Sequence, residues 1–294
     1  MADSDVLSIE RGDHVATVWL DRAEARNAMG PAFWTDLPAV MADVSADRAV
    51  RAVVIAARGP HFSVGLDLKA MAGLLTATGG DAGDVGSTGP GSRSGTPGSP
   101  AKPSAAAKAM ASRPQILRMQ RSISSVADCP KPVIAAVHGY CLGGGLDVIA
   151  ACDIRLASAD AVFSLRETRI AIVADLGSLQ RLPRIISKGH VAELAYTGKD
   201  IDARRAAEIG LVNDVLPDAE ATIKAARQLA GEIAANSPVA VEGTKAVLAA
   251  CEDRSVAEGL DYVATWNAGF LQSDDLAEAM VAFTEKRPPN FTGY

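Results

Sequence analysis

Apolar positions in the first half of the chain fall in short runs of strand length. "HVATVWL" (14–20) is rich in β-branched residues and bounded by polar ones, and "RAVVIAA" (51–57) is a continuous apolar run; both predict strands. Between them, residues 31–46 open on Pro31 and carry apolar positions at helical spacing, which predicts a helix. Further strands are expected at "PVIAAV" (132–137), "DIRLAS" (153–158) and "AVFSL" (161–165). From about residue 187 the period changes, and Ala-rich amphipathic runs at 202–210, 219–235, 238–252 and 255–286 read as helices. Strands alternating with helices, then an all-helical end, predict an α/β core over 1–200 and a helical region over 201–294.

One segment breaks this pattern. Residues 73–112, "GLLTATGGDAGDVGSTGPGSRSGTPGSPAKPSAAAKAMAS", hold no aromatic residue and are mostly Gly, Ser, Thr, Pro and Ala. So little apolar surface cannot offset the entropy of ordering, and a mobile loop is expected. A linker between separate domains is the alternative, but the flanking strands are too few to fold apart.

Composition narrows the class. The chain has 294 residues, 48% of them apolar, which is ample for a large core. Aromatics are only 4%, so that core must be built from Ala, Val, Leu and Ile. A net charge of −6 argues against a nucleic-acid partner, though not against a local basic pocket for one phosphorylated ligand. Cys129, Cys141, Cys152 and Cys251 are scattered without a CxxC pair, so buried reduced thiols are expected and no metal site. The acidic opening "MADSDVLSIERGD" does not read as a signal peptide, no stretch has the length of a membrane span, and "FTGY" is not a peroxisomal address. The expectation is a soluble cytoplasmic protein.

Two glycine-containing turns follow strands: "HFSVGLDL" (61–68) and "HGYCLGGGLDVIAACDIR" (138–155). A strand, a glycine turn and a helix aim free backbone N–H groups at one spot. Two such turns can converge on a single oxygen as an oxyanion hole, although a glycine triplet alone also serves simple packing. Three acids stand out beside them. Asp147 follows the triplet, Glu167 lies in "SLRET", and Asp175 interrupts an apolar run just before Gly177. Singly, Asp147 or Asp175 could cap a helix, and Glu167 could pair with Arg166 or Arg169. Together, acids around an apolar, glycine-turned site are where carboxyl pKa values are driven apart. His14, His61, His138 and His190 form no nucleophilic triad and are expected to be structural.

The blocks "HFSVGLDL", "KPVIAAVHGYCLGGGLDVIAACDIRLAS" and "GSLQRLPRIISKGHVAELAYTGKDIDARRAAEIGLVNDVLP" resemble the crotonase, or enoyl-CoA hydratase/isomerase, superfamily. The resemblance runs from about residue 6 to the end, broken by the loop at 73–112. It implies a spiral of ββα units, a C-terminal helical trimerisation region, and a homotrimer or a hexamer made of two trimers. It also implies an acyl-CoA substrate bound as its enolate, with the N–H groups of Leu66 and Gly144 as oxyanion hole. Arg26, Asp67 and Lys286 are the implied CoA contacts. No cofactor beyond the thioester substrate is implied.

Hydratases of this superfamily carry a Glu directly after the glycine turn, a second Glu after proline, and a Gly-rich segment before "QRL". Here Asp147 and Glu167 stand at the first two positions, the proline is missing, and "VADLGSLQRLP" places Asp175 in the third segment. The set Asp147, Glu167 and Asp175 resembles the Δ3,5-Δ2,4-dienoyl-CoA isomerases. That resemblance implies a shift of 3,5-dienoyl-CoA to 2,4-dienoyl-CoA in the breakdown of unsaturated fatty acids. Glu167 would take the carbon 2 proton and Asp175 would deliver one at carbon 6, with base and acid exchangeable, while Asp147 tunes the pair. The alternatives are an enoyl-CoA hydratase, or a non-catalytic acyl-CoA-binding protein of the same fold.

Overall fold

The computed structural model describes residues 4–71 and 105–293. Most of the expected loop, residues 73–104, lies outside them. The end of that stretch departs from expectation, because Ala105–Ala127 forms a helix, α2. Alanine explains the miss: it lowers apolar bulk as Gly and Ser do, yet it is the strongest helix former.

A six-stranded sheet runs in the order β1-β2-β3-β4-β6-β9. β1 (Leu7–Gly12) and β2 (Val15–Leu20) form an antiparallel hairpin. Its two-residue turn, Asp13 and His14, has φ of 49° and 62°, the left-handed geometry that matches strand twist. β3 (Ala52–Ala57), β4 (Val133–Val137), β6 (Ile154–Ser158) and β9 (Asp214–Leu216) then add in parallel. A second sheet holds β5 (Tyr140–Leu142), β7 (Val162–Ser164) and β8 (Ile201–Asp202). Ser63 bridges to Cys141 of β5, so the first glycine turn joins this sheet too.

The chain therefore repeats one path: a strand in the large sheet, a short strand or bridge in the small one, then a helix. α1 (Pro31–Ala46) and α2 pack together, α3 (Gly144–Ala150) closes the second unit, and α4 (Ser178–Arg181) with α5 (Lys188–Thr197) closes the third. This is the expected ββα spiral. The large sheet is covered on both faces, which is why its strands read as unbroken apolar runs. Val18, Val53, Ile55, Ala135 and Val137 face the main core, with Phe33, Leu37 and Ile149. Val54, Ala56, Ile134 and Ala136 face the other way, against Ala226, Ala230 and Ala234 of α7 (Ala219–Ala234). Alanines one turn apart let α7 lie close to the sheet.

β8 in the small sheet, β9 in the large one, α6 (Ala203–Glu208) and α7 thus pack with the core, although they follow residue 200. The outer helices are α8 (Pro238–Cys251), α9 (Val256–Phe270) and α10 (Asp274–Glu285). The run expected as one helix at 255–286 is broken where Ser273 caps α10, its hydroxyl accepting from Leu276 N at 3.2 Å. Cys129, Cys141 and Cys152 are buried and Cys251 half-buried, all four as free thiols. Among the described residues no helix is long and apolar enough to cross a membrane.

Candidate active site

The first glycine turn is braced from behind. Buried Asn27 donates its side-chain amide to the carbonyls of Arg58 and His61, 2.9 Å each, and its own carbonyl accepts from Ser63 Oγ at 2.7 Å. Ser63 Oγ accepts from Gly65 N at 3.1 Å. Met29 binds on either side of Leu66: its N–H donates to Gly65 O (2.8 Å), and Asp67 N donates to its carbonyl (3.0 Å). Parallel pairing of this kind leaves the N–H of Leu66 directed away from Met29. In the second turn Gly144 opens α3, so its N–H has no acceptor within the helix.

The two turns touch. Gly65 has φ of +85°, and a Cβ there would lie 2.8 Å from Leu142 O and 3.3 Å from Gly144 N. Only glycine allows that approach. Among the described residues neither Leu66 N–H nor Gly144 N–H has a hydrogen-bond partner. Two neighbouring free donors can take one oxyanion.

The acids do not perform their ordinary structural alternatives. Arg166 is occupied by Asp200, with contacts of 2.7 and 2.8 Å, and Arg169 Nε donates to Thr197 O at 3.4 Å. Among the described residues Glu167 therefore has no ion-pair partner. It opens a short 3-10 turn, Glu167–Ile170, and its Oε2 is buried without a hydrogen-bond partner. Asp175 does not cap α4, whose N-cap is Gly177 without a side-chain cap. Asp147 lies inside α3, 1% exposed, and its Oδ1 accepts from Ser178 N at 2.7 Å and from Ser178 Oγ.

Burial raises all three carboxyl pKa values, and like-charge repulsion adds to it at Asp147 and Glu167. Asp147 is pushed up to about 7, chiefly by desolvation and then by the charges of Glu167 and Asp175, against the pull of Ser178. Glu167 is raised by burial and by Asp175, and half-buried Asp175 by burial. Acids gathered in differing environments in this way are the condition for an acid and a base to coexist in one site. Its apolar surroundings divide: Ala174 and Leu176 are buried, whereas Ile170 and Val173 are exposed.

Stability follows with a definite sign. The folded Asp147 holds its proton up to about pH 7, whereas the unfolded carboxyl releases it near its ordinary value of 3.8. Its ionisation therefore costs stability as pH rises from about 4 to 7, by at most about 4 kcal/mol. Asp147→Asn should raise the melting temperature at pH 8 and lose most of that gain at pH 4, measured by thermal denaturation.

Gly143 sets the distance to Glu167. Its φ is +49°, and a Cβ would meet Glu167 Oε1 at 3.1 Å. Gly143→Ala should strain the turn by about 1–2 kcal/mol and press on the carboxylate. The expected result in steady-state kinetics is a kcat about tenfold lower with little change in KM.

The implied CoA contacts fall in two places, Arg26 and Asp67 at the first turn and Lys286 at the end of α10. Arg26 is exposed in a left-handed conformation, its carbonyl accepting from Val64 N at 3.2 Å beside the first turn. Asp67 is engaged locally: Arg22 lies 2.8 Å from Oδ2 and Ala70 N donates to Oδ1 at 3.0 Å, which holds its pKa low. Lys286 is the exposed C-cap of α10. Sequence reading missed Asn27, Gln120 and Ser178. Gln120 donates from α2 to the Asp175 carbonyl at 2.6 Å. Only Ser178 left a local sign, a small hydroxyl residue after the turn glycine; the others act through contacts distant in sequence.

Two free N–H donors on touching glycine turns, with one buried acid and two half-buried ones near the second turn, give a ββα spiral a set of groups that can move protons. Residues 10–82 and 105–294 match the enoyl-CoA hydratase/isomerase family, and the chain belongs to it. The mitochondrial Δ(3,5)-Δ(2,4)-dienoyl-CoA isomerase of Dictyostelium discoideum is 39% identical over 293 residues, 99% of this chain and 92% of that protein. The peroxisomal isomerase of Arabidopsis thaliana is 38% identical over 274 residues, 92% of this chain and 90% of its own. The crystal structure of enoyl-CoA hydratase from Bacillus anthracis superposes with a TM-score of 0.82 at 29% identity, covering 98% of this chain and all of that one. These relatives correct one expectation. A cytoplasmic location is contradicted by mitochondrial and peroxisomal isomerases of such similarity; an acidic first segment does not report where a homologous chain works.

Proposed function

We propose that this chain converts 3,5-dienoyl-CoA to 2,4-dienoyl-CoA in the breakdown of unsaturated fatty acids. The observation that carries the reading is the division of labour among the acids. Asp147 is tied to Ser178, whereas the buried Oε2 of Glu167 is unpartnered beside a second free acid, Asp175. The isomerase relatives support the same substrate class.

Glu167 takes the proton from carbon 2, and the electron pair moves into a dienolate whose oxygen is held by Leu66 and Gly144 N–H. Protonated Asp175 then delivers a proton to carbon 6 and the double bonds settle at 2 and 4. Glu167 is left protonated and Asp175 ionised, and exchange with solvent restores both. The oxyanion donors supply the largest share of the rate and the acids a further 10²–10⁴-fold, in order of magnitude. Proton transfer alone needs no metal or redox cofactor. Arg26 and Lys286 supply positive charge for the CoA phosphates.

A hydratase would use Asp147 and Glu167 to activate water, and it leaves Asp175 without a task. Side-by-side assays with a 3,5-dienoyl-CoA and with crotonyl-CoA separate the two: the isomerase reading requires turnover of the first to exceed hydration of the second. Tight CoA binding with no turnover of either would mark a non-catalytic protein.

The outer helices expose Leu248, Val256, Leu260, Phe270, Met280 and Phe283. So large an apolar face calls for cover, and a homotrimer, alone or doubled into a hexamer, supplies it. Sedimentation should show three or six copies of the 30.4 kDa chain; a monomer would refute this.

A further inference from the structure

The turn from Asp175 to Ser178 joins two of the acids and is held at both ends. On one side Gln120 donates to the Asp175 carbonyl at 2.6 Å. Arg181 donates to the Leu176 carbonyl at 3.5 Å and to Ser124 Oγ at 3.0 Å, so α2 grips the turn twice. On the other side Ser178, fully buried, points both its N–H and its hydroxyl at the single oxygen Oδ1 of Asp147. Gly177, at φ of +130°, makes the corner that lets both donors face the same way. A hydroxyl and an N–H from one residue on one buried carboxylate oxygen form a two-donor clamp.

We propose that Ser178 is the positioning residue of this site: its clamp fixes the Asp147 carboxylate so that its charge acts on Glu167 and Asp175 from one place. The inference rests on the isomerase reading above. Ser178 is fully buried and works through Asp147. The titratable groups acting on Asp147 are the two acids Glu167 and Asp175, and the Cys141 thiol of β5 lies within its field. Ser178 therefore offsets like-charge repulsion and burial, and losing its hydroxyl must make Asp147 harder to ionise.

The test is a two-by-two set: the unsubstituted chain, Ser178→Ala, Asp147→Asn and the double variant, each assayed for isomerisation of a 3,5-dienoyl-CoA across pH. Ser178→Ala should lower kcat about tenfold, leave KM within about twofold, and move the acidic limb of kcat/KM up by roughly one pH unit. In the Asp147→Asn background the same change should have almost no effect on kcat. An equal loss in both backgrounds, a loss without a moved limb, or no loss would overturn the inference. Should Ser178→Ala not fold, Ser178→Cys, similar in size but a weak donor, takes its place in the set. An unsubstituted chain without isomerase activity would overturn the parent reading and this one together; an active chain indifferent to Ser178→Ala overturns this one alone.

Discussion

Glu167→Gln should abolish most turnover of a 3,5-dienoyl-CoA, with kcat down about 10³-fold, or about 4 kcal/mol of barrier. Glutamine keeps the shape of the side chain but cannot accept the carbon 2 proton. The loss should fall on kcat rather than KM, because Leu66 and Gly144 still hold the thioester oxygen in the variant. The fold should survive, since the buried Oε2 has no partner to lose and burial already disfavours its charge. Exchange of the carbon 2 hydrogen with deuterated solvent should vanish along with turnover. A variant within tenfold of the parent rate would remove Glu167 from the mechanism.

Asp175→Asn is expected to lose about 10²–10³-fold in turnover and to differ from Glu167→Gln in one diagnostic respect. Glu167 and the two N–H donors remain, so the dienolate still forms and returns. Carbon 2 should keep exchanging with solvent while the 2,4-dienoyl product hardly accumulates. Proton NMR in deuterated buffer reads both at once. If the two variants lost exchange and turnover in parallel, Asp175 would not be a separate acid acting at the far end of the diene.

Much of the fold was legible because its strands are buried on both faces. "VVIAA" and "VIAAV" leave little choice of element, and Val54 and Ile134 indeed meet the alanines of α7. Helix α1 was equally plain, opening on Pro31 and ending at Ala46. The edge strands β1 and β9 were hidden, since partial exposure mixes their residues and removes the apolar signal. The start of α2 was masked by an alanine-rich stretch that resembles the low-complexity residues before it. At the site, the three acids and two glycine turns were visible as residue types in order. What ties them together was not. That Arg166 is taken by Asp200, or that Ser178 and Gln120 hold the turn around Asp175, depends on contacts between segments far apart in sequence.

The most direct measurement is turnover of a 3,5-dienoyl-CoA by the unsubstituted chain in deuterated water, with the product examined by NMR. A two-acid relay predicts 2,4-dienoyl-CoA carrying one solvent-derived deuterium at carbon 6. A hydroxylated product, no product, or a 2,4-dienoyl thioester whose carbon 6 carries the proton lifted from carbon 2 would contradict it.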